Sequence, residues 1–197
     1  MSDINNSSTL ARRLREELQG EVLFDRFNRG RYSTDASIYQ LMPIGVVLPK
    51  SDDDVEAAIK IAKEEGIPVL PRGSGTSQNG QAIGEALLID TTRHLNQIID
   101  FDRENQTACV QPGLVLDHLN RYLKPHGLFY PVDVSTANRA TLGGMTGNNS
   151  CGARSIRYGN MVHNVLSVEA LLANGSKAHF KKSVSYTHLT LPTSDLV

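Results

Sequence analysis

With 197 residues, 20 basic against 21 acidic side chains and a formal net charge of -1, the chain has no basic excess to steer it toward nucleic acid or an anionic membrane. Its 40% hydrophobic and 21% charged content belongs to folded globular proteins and excludes wholesale disorder. No apolar run approaches the roughly 18 residues of a membrane helix, and Cys109 and Cys151 lack the CxxC or Cys/His spacing of zinc, a local iron-sulfur cluster or a disulfide framework.

The polar, amphipathic start MSDINNSSTLARRLREELQG has no signal-peptide core, so a cytoplasmic location without membrane insertion is expected. Leu10, Leu14 and Leu18 recur at spacing four and predict a helix capped by Ser7 or Ser8. RFNRGRYSTDASIYQ, residues 26–40, has no clear period and reads as a polar loop. GVVLP is a short strand ended by Pro49, after which Ser51 and Asp52, Asp53 and Asp54 start a helix that Gly66 closes. The three acids suit the positive end of the helix macrodipole better than a metal site, and Val55, Ala58, Ile59 and Ala62 supply the buried face. IPVLP reads as a second strand, giving a strand-helix-strand crossover whose ligand site lies beyond the carboxyl ends of its strands. ALLID, NQIIDFD and QTACVQPG are three more strands, the last two joined by a turn at Arg103–Asn105. Leu116, Leu119 and Leu123 predict a helix from about Val115, stopped by Pro125 and Gly127, and VLSVEALLANGSKAHF a hairpin around Asn174-Gly175.

Two side-chain-poor segments carry the chemistry. In PRGSGTSQNG, Gly73, Gly75 and Gly80 permit positive φ and close approach, while Ser74, Thr76 and Ser77 add hydroxyl donors. Backbone N–H groups in such a turn form a concavity that matches a diphosphate, and Arg72 is placed to neutralise charge. The GK[ST] ending of a Walker loop is absent, and Gln78 breaks the GxGxxG spacing of a Rossmann fingerprint, so an ordinary glycine-rich surface turn is the competing reading. The second segment, ATLGGMTGNNSCGARSIRYGN, reads as another long glycine-rich loop. Two such loops suggest that two backbone stretches close around one extended ligand, with Thr141, Asn148, Asn149 and Ser150 addressing a heteroaromatic edge and Gly143 and Gly144 admitting a flat ring.

VVLPKSDDDVEAAIKIAKEEGIPVLPRGSGTSQNGQA, then VQPG, then DVSTANRATLGGMTGNNSCGARSIRYG resemble the FAD-binding domain of the vanillyl-alcohol oxidase and p-cresol methylhydroxylase type. The nearest likeness is to FAD-linked D-2-hydroxy-acid dehydrogenases: the flavoproteins of the glycolate oxidase type and the D-lactate and D-2-hydroxyglutarate enzymes. RYSTDASIYQ resembles their long members, which append an iron-sulfur domain. The resemblance implies an α+β fold of two α/β subdomains, a small mostly parallel sheet and a larger mixed or antiparallel one, incomplete at the C-terminus. Its expected division is an N-terminal helix and extension (1–42), a first FAD-binding subdomain (43–92), a second (93–183) and a non-native tail (184–197).

By the same resemblance Arg72, Gly73, Ser74, Gly75, Thr76, Ser77, Asn79 and Gly80 would cradle the FAD pyrophosphate. Pro131, Asp133, Ser135, Thr141, Gly143, Gly144, Asn148, Ser150 and Gly152 would line the rest, followed by Asn164 and Val165. Members that bind flavin covalently through the first loop carry a His near Thr76; none is here, so non-covalent FAD is expected. In that family the flavin takes hydride from the carbon bearing the substrate hydroxyl, leaving a 2-oxo acid, and the electrons pass to a further acceptor. Alternatives are an electron-relay flavin module of a multi-subunit oxidoreductase, a binding module without flavin, or an inert fragment. His163 is the histidine nearest the expected chemistry, and a packing or surface role competes with a functional one. His94, His118, His126 and His179 show no metal spacing. Cys151 reads as a small filler near the cofactor, and Tyr130, Arg154, Arg157 and Tyr158 as solvated or half-buried side chains within reach of flavin or substrate. The end VSYTHLTLPTSDLV resembles the translation of a sequencing adapter. The chain is therefore expected to be a truncated N-terminal fragment of marginal stability, with the substrate-capping domain, the catalytic base and any iron-sulfur region lying beyond it.

Overall fold

The structure, a computed structural model, describes residues 2–181, with side chains from Thr9 onward; the expected adapter-like tail lies outside the described residues. Helix α1 (Ser2–Glu17) starts before the expected cap, so Ser7 and Ser8 fall inside it. Leu10, Leu14 and Leu18 are buried as their spacing predicts, against helix α3 (Asp52–Glu64) and the sheet. Arg13 ties the two helices together through Glu64 and Glu65. Between them the Asp25 side chain, accepting from Asn28 N, caps a six-residue helix α2 (Arg26–Arg31) in a stretch that the sequence pattern presents as loop. Its apolar residues are too few to show a helical period, and the cap is the signal that was there to find.

The first sheet holds β1 (Glu21–Leu23), β2 (Gly45–Leu48), β3 (Val69–Arg72) and β4 (Leu87–Asp90) in the order β1-β2-β4-β3. Strands β2 and β3 both run parallel to β4, and β1 runs antiparallel to β2. The crossover from β2 through α3 therefore skips a place instead of laying β3 beside β2. Burial explains the order. Strands β2 and β4 are buried at every position, as the apolar runs of central parallel strands should be. Strand β3 is half-buried and contains Pro71, which has no N–H to give a neighbour and suits an edge. Ser51 caps α3 by accepting from Asp54 N, and the buried Asp54 carboxylate accepts from Gln19 N and Lys50 N, both at 2.8 Å. One of the three acids is thus a structural clamp.

A second core forms around helix α4 (Leu116–Leu123), whose Leu116, Leu119 and Leu123 pack with Val132, Leu142, Met145 and Met161. The antiparallel pair β5 (Ile98–Asp102) and β6 (Thr107–Val110) leans on it through Ile98, Phe101 and Val110. Among the described residues the strands outside the first sheet form this ribbon and the antiparallel hairpin of β7 (Ser167–Leu171) and β8 (Lys177–Lys181). The hairpin turns at Asn174-Gly175 as read from the sequence and lies along α3, with Lys177 paired to Glu56 and Lys63 donating to the Asn174 carbonyl.

The second glycine-rich segment is not one long loop. It folds into helices α5 (Leu142–Gly147), α6 (Ser155–Tyr158) and α7 (Met161–Asn164). Thr141 begins the first by accepting from Gly144 N, and Leu142 and Met145, three apart, fasten it to the second core. The glycine content hides this pattern because it lowers helix propensity without removing the two buried anchors.

Candidate functional site

Strands β3 and β4 end side by side at Arg72 and Asp90, which are paired in register, and both chains turn there into polar loops. The carboxyl edge of a parallel sheet is where such folds place ligands. Arg72 does not point out into that space. It is 9% exposed, its guanidinium donates to the carbonyls of Tyr32, Thr34 and Ala82 at 3.3, 2.8 and 2.7 Å, and it lies 5.4 Å from the centroid of the Tyr32 ring. Burial pulls its pKa down, against the opposing charge of Asp90. Tyr32 in turn donates its hydroxyl to Asp90 Oδ2 at 2.8 Å, while Thr92 N donates to Asp90 Oδ1. Burial, with the charge of Asp90 behind it, pushes the Tyr32 pKa well above that of a free phenol. The segment 32–36, which the sequence pattern marks only as polar loop, is thus the floor on which the glycine loop sits. Ala36 N also donates to the Gly75 carbonyl at 3.1 Å.

Gly75 has φ +68°, and a Cβ there would lie 2.5 Å from Arg72 Nη2. At Gly73 a Cβ would overlap Thr141 Oγ1 and stand 3.8 Å from Gly144 Cα, so the two side-chain-poor segments touch at this point. A second contact joins them where Gln81 Nε2 donates to Asn148 Oδ1 at 2.6 Å. Between them opens a cleft of about 330 Å³ lined by Gly73, Ser74, Asp90, Thr92, Val115, Asn138, Arg139 and Thr141. Gln78 and Asn79 of the glycine loop share a larger concavity of about 540 Å³ with Ala36, Ser37, Ile38 and Tyr39.

The remaining expected residues lie outside the lining of this cleft. Gly143 packs its backbone on Pro112, donating to the Pro112 carbonyl at 2.8 Å, which brings VQPG to the second segment. Gly152 abuts Asp133, where a Cβ would run into the carbonyl oxygen, and Asp133 also accepts from Arg154 N. Thr76, Ser77, Pro131 and Ser150 are half-buried, and Ser135 is exposed. Asn164 and Val165 stand apart: the Asn164 amide is spent on the carbonyls of Tyr158 and Asn160, and Val165 packs on the second core. His163 Nδ1 accepts from Asn160 N, and His94 contacts Glu21. Both cysteines are exposed, so Cys151 fills no interior space, and the described residues contain no group of three metal-ligating side chains. No helix among them is long and apolar enough to cross a membrane. The sequence reading missed Asp90, Thr92, Asn138 and Arg139 as cleft residues. Their common signal is position at or just past a strand end, or on the turn that precedes Thr141.

The donor set fits a dinucleotide diphosphate: hydroxyls of Ser74, Thr92 and Thr141 ring the cleft, and its one acid, Asp90, already accepts on both oxygens. Residues 43–181 match the sequence profile of the family described as FAD binding domain. The chain belongs to this family. D-2-hydroxyglutarate dehydrogenase from Escherichia coli K12 is 42% identical over 159 residues, which are 79% of this chain and 16% of that protein. Glycolate oxidase subunit GlcD from Bacillus subtilis is 40% identical over 163 residues, 81% of this chain and 35% of that protein. Across the curated relatives it matches, the chain spans between 16% and 36% of their length. Among solved structures, an alkyldihydroxyacetonephosphate synthase superposes with TM-score 0.79 at 22% identity, covering 91% of this chain and 39% of its own. The wild-type BBE-like 1 protein of Physcomitrella patens gives TM-score 0.74 at 19% identity, covering 87% and 37%. At these identities the likeness is one of fold, and that fold is the p-cresol methylhydroxylase type to which the sequence motifs point.

Proposed function

We propose that this chain is the cofactor-holding part of a flavin enzyme that oxidises a D-2-hydroxy acid to the 2-oxo acid, with the FAD diphosphate seated in the cleft between Gly73-Ser74 and Thr141-Gly144. The observation that carries the reading is the meeting of two side-chain-poor segments, far apart in sequence, at the carboxyl edge of a parallel sheet. In this reading Ser74, Thr76, Ser77 and Thr141 orient the cofactor by hydroxyl hydrogen bonds. In the same reading the expected subdomain 43–92 contributes the first glycine-rich segment and the expected subdomain 93–183 contributes the second. Asp133, Gly152 and Ser150 hold the second segment in place. When bound, FAD supplies a hydride acceptor. Non-covalent attachment is part of this reading, in keeping with the lack of a His near Thr76.

The substrate class is supported by the names of the relatives, whose substrates share a hydroxyl on the carbon next to a carboxylate. The test is to purify the full gene product, measure its flavin absorbance, and add D-2-hydroxyglutarate, D-lactate and glycolate without oxygen. A yellow protein that releases its flavin on denaturation and is bleached by one of the three supports the proposal. A folded protein without flavin, and unable to take it up, refutes it; a yellow protein bleached by none of them points to an electron-relay module.

A further inference from the structure

We propose that Arg139, and not Arg72, is the side chain that meets the anionic diphosphate, while Arg72 positions the glycine loop from inside. This rests on the cofactor reading above and deepens it. Arg72 is almost wholly buried and its donors are directed to three main-chain carbonyls. Its charge is balanced by Asp90, its register neighbour on the adjoining strand. Arg139 is the opposite case. It is exposed, lines the cleft beside Ser74 and Thr141, and no hydrogen bond or ion pair holds its guanidinium among the described residues.

Of the other arginines near the two segments, Arg93 pairs with Glu21, Arg154 with Asp133, and Arg157 lies over the Tyr158 ring, and none of the three lines the cleft. With the Asp90 carboxylate satisfied and offset by Arg72, the uncompensated charge in the cleft belongs to Arg139. The backbone that carries it is fixed. Arg139 N and Ala140 N both donate to the Thr136 carbonyl at 2.8 Å, and the first turn of α4 clamps the same turn, with Asp117 N donating to the Ala137 carbonyl and Leu116 N to the Ala140 carbonyl, each at 3.0 Å. A free guanidinium on a fixed turn is suited to phosphate, whose oxygens it meets in pairs through its planar fork.

The experiment titrates the apo form of the full gene product with FAD, ADP and riboflavin at low and high salt, in wild type, Arg139→Gln, Arg139→Lys and Arg72→Gln. Arg139→Gln is expected to weaken FAD and ADP alike, on the order of ten- to a hundred-fold, the range of a lost charge-assisted hydrogen bond. It should also flatten the salt dependence and leave riboflavin affinity and the melting temperature of the apoprotein unchanged. Arg139→Lys should recover part of the affinity. Arg72→Gln should lower the melting temperature of the apoprotein itself. Wild-type affinity and salt dependence in Arg139→Gln would overturn the proposal, as would an equal loss for riboflavin or an Arg72→Gln protein that melts normally. A wild-type protein that binds no FAD at all would instead overturn the cofactor reading on which the proposal stands.

Discussion

Replacing Gly75 by Ala separates two contributions that the geometry places on one residue. Gly75 has φ +68°, and its new Cβ would lie 2.5 Å from Arg72 Nη2. Gly66 supplies the control, because it has φ +66° and nothing within 4 Å of an added Cβ. Left-handed backbone costs a non-glycine residue about 1–2 kcal/mol, and both variants bear that. Only Gly75→Ala must also push a guanidinium that three carbonyls hold, and giving up the bond from Nη2 to the Thr34 carbonyl costs about 1.5–3 kcal/mol more. Gly75→Ala should therefore fall about 2 kcal/mol below Gly66→Ala. For a domain of this size that is a melting temperature lower by about 4–8 °C. Thermal melts of the apoprotein in parallel give the difference directly. Equal melting temperatures for the two variants would show that Arg72 does not clamp the loop. FAD affinity should drop in Gly75→Ala and not in Gly66→Ala.

Tyr32→Phe removes the donor to Asp90 Oδ2 and leaves a buried carboxylate oxygen unpaired, so urea unfolding should show a loss of about 1–3 kcal/mol. The same variant tests pH dependence. Tyr32 and Tyr130 both have raised pKa values, Tyr130 to about 12, with burial the leading cause in each, so their share of stability is fully present below the unfolded phenol value of about 10 and is lost as pH rises above it. Stability should fall between about pH 10 and pH 12 with a slope approaching 1.4 kcal/mol per unit for each tyrosine, and Tyr32→Phe should make the fall shallower. Gly152→Ala would drive a methyl into the Asp133 carbonyl oxygen and should destabilise the protein by about 1–3 kcal/mol or more, whereas Gly147→Ala, with open space around it, should be tolerated in the same melts. Asp54→Ala strips the acceptor from Gln19 N and Lys50 N and should lower the unfolding midpoint by a similar amount.

Elements with a strong local signal were legible in the sequence. The leucine spacing of α1, the Ser51 cap and acidic turn of α3, and the Asn174-Gly175 hairpin all depend on residues near in sequence, and the structure places them where the pattern does. Strand order was not, because the insertion of β4 between β2 and β3 is decided by which strands are buried on both sides, a property of the assembled layers. The helices of the second glycine-rich segment were hidden for a related reason: Leu142, Met145 and Met161 reveal themselves as anchors only once α4 is beside them. At the site, the two segments and their glycines could be read from composition and resemblance. The inward turn of Arg72 could not, since its carbonyl partners lie 10 to 40 residues away in sequence. An arginine next to a glycine-rich turn looks like an anion contact until Tyr32, Thr34 and Ala82 are seen around it.

The most direct measurement of the central claim is an equilibrium titration of the folded, flavin-free gene product with FAD, repeated in the presence of ADP. If the diphosphate sits where Gly73-Ser74 meets Thr141-Gly144, one FAD binds per chain and ADP displaces it in proportion to its concentration. A folded protein that takes up no FAD, or takes it up without hindrance from saturating ADP, contradicts that placement.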